Sequence, residues 1–189
     1  MGEERPSIGS GWLAWWPVVI GPLTVAGVWA ASSVGWDWCL AKGPHEVIAI
    51  CLLSAAVLTY VARTRTGGNP VHLLLTVLAV VFLLREIHWD WTSPGVYVAV
   101  ACLGVWTAVW RKRLWPAVHV GRLWQWLCAT GATYVLAQLI ARRVLRDMLP
   151  DEQHLHSAYE ELTENAAHLM LLVTAFADRF GRRPEHPAV

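Results

Sequence analysis

Residues 155–177 read LHSAYEELTENAAHLMLLVTAFA, an acidic half followed by an apolar half within one helix-length stretch. A helix that crosses the hydrocarbon core of a bilayer needs about 20 residues, so this stretch is long enough to do so. Its Glu160, Glu164 and His168 recur at steps of four, which places them on one helix face. Because ionisable groups are costly in lipid and mark functional sites there by default, the stretch predicts a membrane helix with a working polar face.

The composition of the whole chain is that of a membrane protein. Of its 189 residues 56% are hydrophobic and 15% are charged, and the mean hydropathy is +0.40. A soluble domain carries about 25% charged residues. The net charge of +1 argues against nucleic acid as a partner, because nucleic-acid-binding proteins need a strongly basic surface. The predicted partners are membrane lipids, and protein subunits or a homo-oligomer remain open.

Six stretches are apolar enough to predict an all-α, polytopic membrane bundle of about six transmembrane helices. They are residues 12–33, 44–62, 71–88, 95–110, 123–140 and 155–177. The fourth stretch is short, and the sixth is acidic over its N-terminal half. We expect residues 1–181 to form a single transmembrane domain and residues 182–189 to form a disordered C-terminal tail.

The distribution of Lys and Arg predicts the orientation of the bundle, since these residues accumulate on the cytoplasmic side. Ten of them lie at the helix ends that share a side with the N-terminus, and four lie at the opposite ends. Three of those four are arginines between residues 142 and 146, which oppose the trend. The majority predicts a multi-pass protein of the cell inner (plasma) membrane with both termini in the cytoplasm.

With this predicted topology, three helices bring ionisable side chains to the outer side of the membrane at similar depth. These side chains are Glu46, Arg85, Glu86, His88, Glu160, Glu161, Glu164 and His168. Carboxylates at this density repel one another once desolvated, so some must be protonated, paired with Arg85 or bound to a cation. The sequence therefore predicts an outward-facing Glu/His/Arg pocket between the second, third and sixth helices, with Asp37 and Asp90 at its mouth.

Three interpretations of the pocket remain open. In the first, Arg85 pairs with Glu86 or with a glutamate of the sixth helix, and the network holds the helices in register. In the second, the pocket binds a divalent metal ion, because carboxylates and imidazoles in mixture suit zinc, iron or manganese. The predicted ligands are Glu86, His88, Glu161, Glu164 and His168. In the third, the pocket binds a proton or a cation in a transport pathway.

Two function classes follow from these interpretations, and the choice between enzyme and non-enzyme remains open. The first is a proton- or cation-coupled small transporter or an accessory membrane subunit. The second is a metal-dependent, membrane-embedded enzyme of the hydrolase kind. The chain has no phosphate-binding loop and no GxSxG nucleophile elbow. His154 and His156, in or next to the loop before the sixth helix, are expected to be solvated.

The order of these groups resembles a group of bacterial polytopic inner-membrane proteins that have no assigned activity. In that group an acid opens an early helix, an Arg-Glu pair with a nearby His ends a middle helix, and a Glu-Glu-x-x-Glu element opens the last. The matching positions within residues 44–177 are Glu46, Arg85, Glu86, His88, Glu160, Glu161 and Glu164. The resemblance implies a membrane bundle and no particular reaction.

Membrane hydrolases related to alkaline ceramidase provide a second comparison. They place Ser, Asp and three His around zinc, and two of those histidines form a pair on the last helix. The corresponding helix of this chain carries Glu164 and His168 instead. This departure argues against a zinc hydrolase of that kind.

Overall fold

The computed structural model describes the backbone of residues 12–67, 69–87 and 92–177, and the side chains of residues 12–14, 37 and 92–94 lie outside the description. The described residues contain seven α-helices and no strand, which confirms the predicted all-α fold. Short 3-10 helices lie at Trp12–Val19, Asp37–Leu40 and Arg146–Met148. The α-helices are α1 (Ile20–Ser33), α2 (Lys42–Gly67), α3 (Pro70–Glu86), α4 (Thr92–Val109), α5 (Arg111–Val118), α6 (Leu123–Ala141) and α7 (Glu152–Thr174).

Six of these helices correspond to the six predicted stretches, with different bounds. The first stretch is divided, because Trp12–Val19 forms a 3-10 helix that contains Pro17 and α1 begins only at Ile20. Proline lacks a backbone N–H and its ring crowds the preceding turn, which disfavours a regular α-helix around Pro17. The additional helix, α5, contains the basic cluster at residues 111–113, which lies between two predicted spans.

The turn between α2 and α3 is defined by the residues at the start of α3. The Asn69 side chain accepts a hydrogen bond from the Val71 backbone N–H at 2.9 Å, and Pro70 occupies the first helical position. Asn69 and Pro70 both suit the start of a helix, where the first backbone N–H groups have no partner within the helix. At the other end of α3, Arg85 and Glu86 form the last turn, and this places them at the candidate site.

α7 lies at the centre of the bundle. It packs against α1, α2 and α6, whereas α3 packs against α2, α4 and α5. Twelve of the 23 residues of α7 are buried. One apolar core surrounds Leu53 and Leu171 near the C-terminal end of α7, and a second surrounds Val28 and Tyr159 near its N-terminal end. The acidic stretch thus forms the most enclosed of the described helices.

Polar side chains lie inside the bundle, and many large apolar side chains lie outside. Thr163, His168 and Thr174 of α7 are at most 1% exposed, whereas Leu58 of α2 and Val109 of α4 are 71% and 73% exposed. Soluble proteins bury apolar side chains and seldom expose large apolar patches. The bundle thus combines buried polar side chains with an outer surface rich in large apolar ones, and water does not favour such a surface.

Two described helical segments are long and apolar enough to cross a membrane, judged by length and composition. They are Trp15–Ser33, which joins part of the first 3-10 helix to α1, and Lys42–Gly67, which is α2. Only 17% and 28% of their most apolar windows are buried, unlike the mostly buried core helix of a soluble protein. Gly95–Val109 is apolar but shorter. Two of the six predicted spans therefore meet this criterion. The other four spans and the orientation stay predictions, and the predicted tail at residues 182–189 lies outside the described residues.

Candidate functional site

The centre of the site is an ion pair between α3 and α7. The Arg85 guanidinium donates two hydrogen bonds to the Glu164 carboxylate, from Nη1 to Oε1 and from Nη2 to Oε2, the second at 3.2 Å. The two side chains are 32% and 10% exposed. A guanidinium suits this pairing because its N–H groups form a rigid fork that fixes the orientation of the carboxylate. The ion pair of the first interpretation is therefore present.

His168 lies one helical turn beyond Glu164 and is 1% exposed. Its Nδ1 is 2.7 Å from Tyr134 Oη of α6, and its Nε2 is 4.0 Å from Glu86 Oε1 of α3. Within the described part of the chain, Nε2 makes no hydrogen bond. The rings of Phe82 and Tyr134 lie 6.5 and 5.6 Å from the imidazole, centroid to centroid. These contacts hold the imidazole with Nε2 on the side of the Glu86 carboxylate.

Glu86, Glu164 and His168 form a group of three potential ligands. One oxygen of each carboxylate and one imidazole nitrogen lie within 4.8 Å of one another. This donor set suits zinc, iron or manganese. A histidine that binds a metal usually has its other ring nitrogen in a hydrogen bond, as Nδ1 has with Tyr134. The fold thus brings together three of the five predicted ligands and adds Tyr134, which the sequence did not indicate.

The predicted ligand Glu161 and the predicted pocket residue Glu46 belong to a different group, at the start of α2. Lys42 Nζ lies 3.6 Å from a carboxylate oxygen of each glutamate. The Lys42 and Glu46 side chains are 61% and 45% exposed, and exposed pairs of this kind contribute about 0–1 kcal/mol. Glu161 therefore lies against α2, outside the group of three ligands. The fifth predicted ligand, His88, lies outside the described residues, as do Asp90 and the side chain of Asp37.

A row of ionisable side chains follows α7 from its first residue to its buried centre. Its members are spaced by four residues and are Glu152, His156, Glu160, Glu164 and His168. His156 Nδ1 lies 2.8 Å from Glu152 Oε1, and His156 Nε2 lies 3.7 Å from Glu160 Oε2. The His156 side chain is 18% exposed, so the expectation that it is solvated is wrong. The regular spacing could have identified Glu152 and His156 from the sequence.

Glu152 gives two arginines of the connection before α7 a local partner. Its side chain is only 4% exposed, with Arg143 Nε at 3.6 Å and Arg146 Nε at 4.0 Å from its carboxylate oxygens. A buried carboxylate needs such partners, because desolvation of an unpaired charge is costly. These arginines oppose the predicted orientation, and their structural role reduces their weight as topology signals.

A cleft of about 490 Å³ opens beside the ion pair, between α3, α4, α6 and α7. Arg85 and Glu160 line it on the side of the centre, and Arg142 lines it at the C-terminal end of α6. Apolar side chains, including Phe82 and Val100, form much of the remaining lining. The predicted pocket residue Glu160 therefore faces this cleft and is not one of the three potential ligands.

The centre can hold a cation, and it can restrain the packing of the helices. Two carboxylates and an imidazole place one potential ligand atom each within 4.8 Å of one another, and the Arg85–Glu164 pair ties α3 to α7 beside them. The chain matches no known protein family, no curated protein and no solved structure.

Proposed function

We propose that the chain is a multi-pass membrane protein whose Glu86–Glu164–His168 centre binds one proton or small cation, in a cation-coupled small transporter or an accessory membrane subunit. The observation that carries this proposal is the buried Nε2 atom of His168, which lacks a hydrogen bond within the described residues. This atom lies on the side of Glu86. A buried polar atom without a partner costs about 1–3 kcal/mol, and a proton or cation bound at this point removes that cost.

The membrane placement is supported by the arrangement of polar and apolar side chains. Leu58 of α2 and Val105 of α4 are 71% and 64% exposed, while His168 lies inside. Lipid does not drive apolar helices together, so interhelical polar contacts take a larger part in membrane bundles. One such contact is the hydrogen bond from Asn165 Nδ2 of α7 to the His45 carbonyl of α2 at 3.1 Å. The proposal extends to six spans, α1, α2, α3, α4, α6 and α7, with both termini in the cytoplasm.

The charge of the centre favours a proton or a monovalent cation. If both carboxylates are ionised, Glu86 and Glu164 carry two negative charges and Arg85 carries one positive charge, so these three side chains together have one negative charge in excess. Net charge is costly to bury, so binding that brings the group to neutrality is favoured. One proton or monovalent cation achieves neutrality, whereas a divalent ion leaves an excess positive charge.

The row of ionisable side chains on α7 supports a transport pathway. It runs from Glu152, the first residue of α7, through His156 and Glu160 towards the buried centre. Acid and imidazole side chains in series are typical of proton and ion pathways in membrane proteins. The row gives a cation a succession of partners along the helix, which a purely structural ion pair does not need.

The alternative is a metal-dependent, membrane-embedded enzyme of the hydrolase kind. The close approach of three ligand atoms, within 4.8 Å of one another, favours it. Glu86, Glu164 and His168 would hold a divalent metal ion, with Tyr134 orienting the imidazole. A bound metal of this type can activate water for hydrolysis.

Infrared spectroscopy of the purified protein in detergent tests the first proposal. A proton held by a carboxylate gives a carboxylic-acid C=O absorption at neutral pH. If the centre binds a proton, we expect this absorption from the wild type in all buffers. If it binds sodium or potassium, we expect the absorption only when these ions are replaced by large organic cations. It should be lost in Glu86→Gln and retained in the control Glu46→Gln, whose carboxylate is 45% exposed and pairs with Lys42.

Metal analysis of the same preparations distinguishes the metal-dependent enzyme from the first proposal. A stoichiometric transition metal that is lost in both Glu164→Gln and His168→Ala would establish the metal site and overturn the proton or monovalent cation. If the absorption is missing in every buffer and no metal is found, cation binding is refuted. Variants that then lose only thermal stability would leave the Arg85–Glu164 pair as a structural contact.

A further inference from the structure

The cleft beside the ion pair has the size of a ligand site and opens on the outside of the bundle. Its volume of about 490 Å³ falls within the roughly 300–1,000 Å³ typical of pockets that hold small molecules. Phe82 of α3 together with Val96 and Val100 of α4 supplies apolar lining. Val100 is 43% exposed, so this wall forms part of the outer surface of the bundle.

Arg142 and Tyr97 supply polar groups where the cleft meets the C-terminal end of α6. Arg142 follows the last residue of α6, and its Nη2 donates a hydrogen bond to Tyr97 Oη of α4 at 3.3 Å. Tyr134 also lines the cleft and lies eight residues earlier on α6, which is about 12 Å deeper at the helical rise of 1.5 Å per residue. An amphiphile can therefore place its headgroup at Arg142 and its chain towards Tyr134 and Phe82.

The lining of the cleft offers one cation and one anion that a ligand can match. Arg142 has no carboxylate partner among the residues that the structure describes, whereas Arg85 is held by Glu164. Glu160 supplies the anion, with a side chain that is 32% exposed and 3.7 Å from His156 Nε2. A phosphate beside Arg142 and an ammonium beside Glu160 match both charges at once.

We propose that this cleft binds one glycerophospholipid with an amine-bearing headgroup. The phosphate contacts the Arg142 guanidinium, the amine contacts Glu160, and an acyl chain lies along Phe82 and Val100. Guanidinium groups bind phosphate through paired N–H donors, and basic pockets between membrane helices bind lipid headgroups. The lipid also separates the Arg85 side of the centre from water. The inference rests on the membrane placement of the proposed function and is independent of cation binding.

Native mass spectrometry tests the lipid site. The protein is purified in a mild detergent and exposed to equal amounts of phosphatidylethanolamine and phosphatidylglycerol. We expect the wild type to retain one phosphatidylethanolamine per chain. Arg142→Gln should lose the bound lipid, because it removes the phosphate contact. Arg65→Gln is the matched control, since Arg65 is exposed and has no ion pair or hydrogen bond within the described residues, and it should retain the lipid.

Two further variants make the test independent of any one substitution. Val100→Trp fills the apolar part of the cleft from an exposed wall and should prevent lipid binding without a change of charge. Glu160→Gln removes the contact with the amine and should turn the preference towards phosphatidylglycerol. Helical circular dichroism and a monodisperse elution profile show whether each variant is folded.

Several results would overturn the lipid site. It is refuted if the wild type retains no phospholipid, if it retains both headgroups equally, or if Arg142→Gln and Arg65→Gln retain the same amount. The assay does not involve Glu86 or His168. Lipid retention without cation binding would therefore refute the proposed centre alone, and cation binding without lipid retention would refute this inference alone.

Discussion

The helices α4 and α7 have opposite compositions and opposite positions in the bundle. α4 carries no charged residue, yet Leu103 is the one buried side chain among those described in it. α7 carries four glutamates and three histidines, yet it lies between α1, α2 and α6 with Glu164 and His168 buried. Apolar character thus predicts where a helix resides in this protein poorly, and the ability to make polar contacts predicts it better.

An exposed apolar helix and an enclosed polar helix are the expected arrangement if lipid surrounds the bundle. A helix without polar groups gains little from packing against other helices when lipid is equally apolar. A helix with ionisable groups must turn them inward, where partners exist. α7 has such partners in Arg85, Tyr134 and Lys42, whereas α4 offers a few polar groups at its edges and otherwise apolar surface.

The largest expected effect follows from removal of the cation that holds α7 to α3. Arg85→Met leaves the Glu164 carboxylate buried without its partner. Breaking a buried pair costs about 3–5 kcal/mol, and we expect about 2–3 kcal/mol here because the Arg85 side chain remains 32% exposed. Unfolding of the purified variant in detergent, followed by circular dichroism, measures the loss.

The double variant Arg85→Met, Glu164→Leu is the control for this prediction. Apolar replacement of both partners of a buried pair is often neutral, so the double variant should recover most of the lost stability. A double variant as unstable as the single one would show that the contact itself, and not the unpaired charge, stabilises the bundle. The inner position of α7 and the outer position of α4 would then have to be explained by side-chain packing alone.

A smaller effect is expected from matched truncations of apolar side chains on the two helices. Leu171 of α7 is 1% exposed and belongs to the apolar core, whereas Val105 of α4 is 64% exposed. Leu171→Ala opens a cavity and should cost about 2 kcal/mol, the lower end of the range for such truncations. Val105→Ala should stay within about 0.5 kcal/mol of the wild type. Equal losses in the same unfolding assay would contradict the inverted packing.

The sequence predicts the helices well because their signal is local. Apolar runs place six helices, and the third predicted stretch begins at residue 71, one residue after the first residue of α3, Pro70. The predicted bounds differ from the observed ones, since α2 continues to Gly67 and Pro17 divides the first stretch. The central position of α7 could not be predicted, because it depends on contacts with helices that are distant in the chain.

The sequence predicts the members of the site better than their partners. Steps of four residues indicate Glu160, Glu164 and His168 as one face, and the structure places the last two in the centre. Glu161 is adjacent in sequence but pairs with Lys42, because neighbouring helical positions point about 100° apart and meet different helices. Tyr134 could not be identified, since nothing in the local sequence of α6 shows that it faces an imidazole.

The smallest expected effect concerns Asp151 and His154 at the start of α7, whose side chains are exposed, unlike that of Glu152 between them. His154 Nδ1 lies 2.7 Å from Asp151 Oδ1. The hydrogen bond and the negative charge of Asp151 raise the pKa of His154 above its usual value of 6.5. A raised pKa means that the contact stabilises the fold fully at pH values below the unfolded-state pKa, and that this contribution disappears as the pH rises through the folded-state value.

Nuclear magnetic resonance of the histidine ring protons measures this titration. Asp151→Asn should return the pKa of His154 towards 6.5, because the amide removes the negative charge. Asp147→Asn is the matched control: Asp147 is an exposed acid of the same connection without a contact to His154 within the described residues, and it should leave the titration unchanged. A His154 titration that is the same in the wild type and in Asp151→Asn would contradict the contact. The thermal midpoint should hardly change in either variant, since solvent screens an exposed pair, and this distinguishes the Asp151–His154 contact from the enclosed centre of α7.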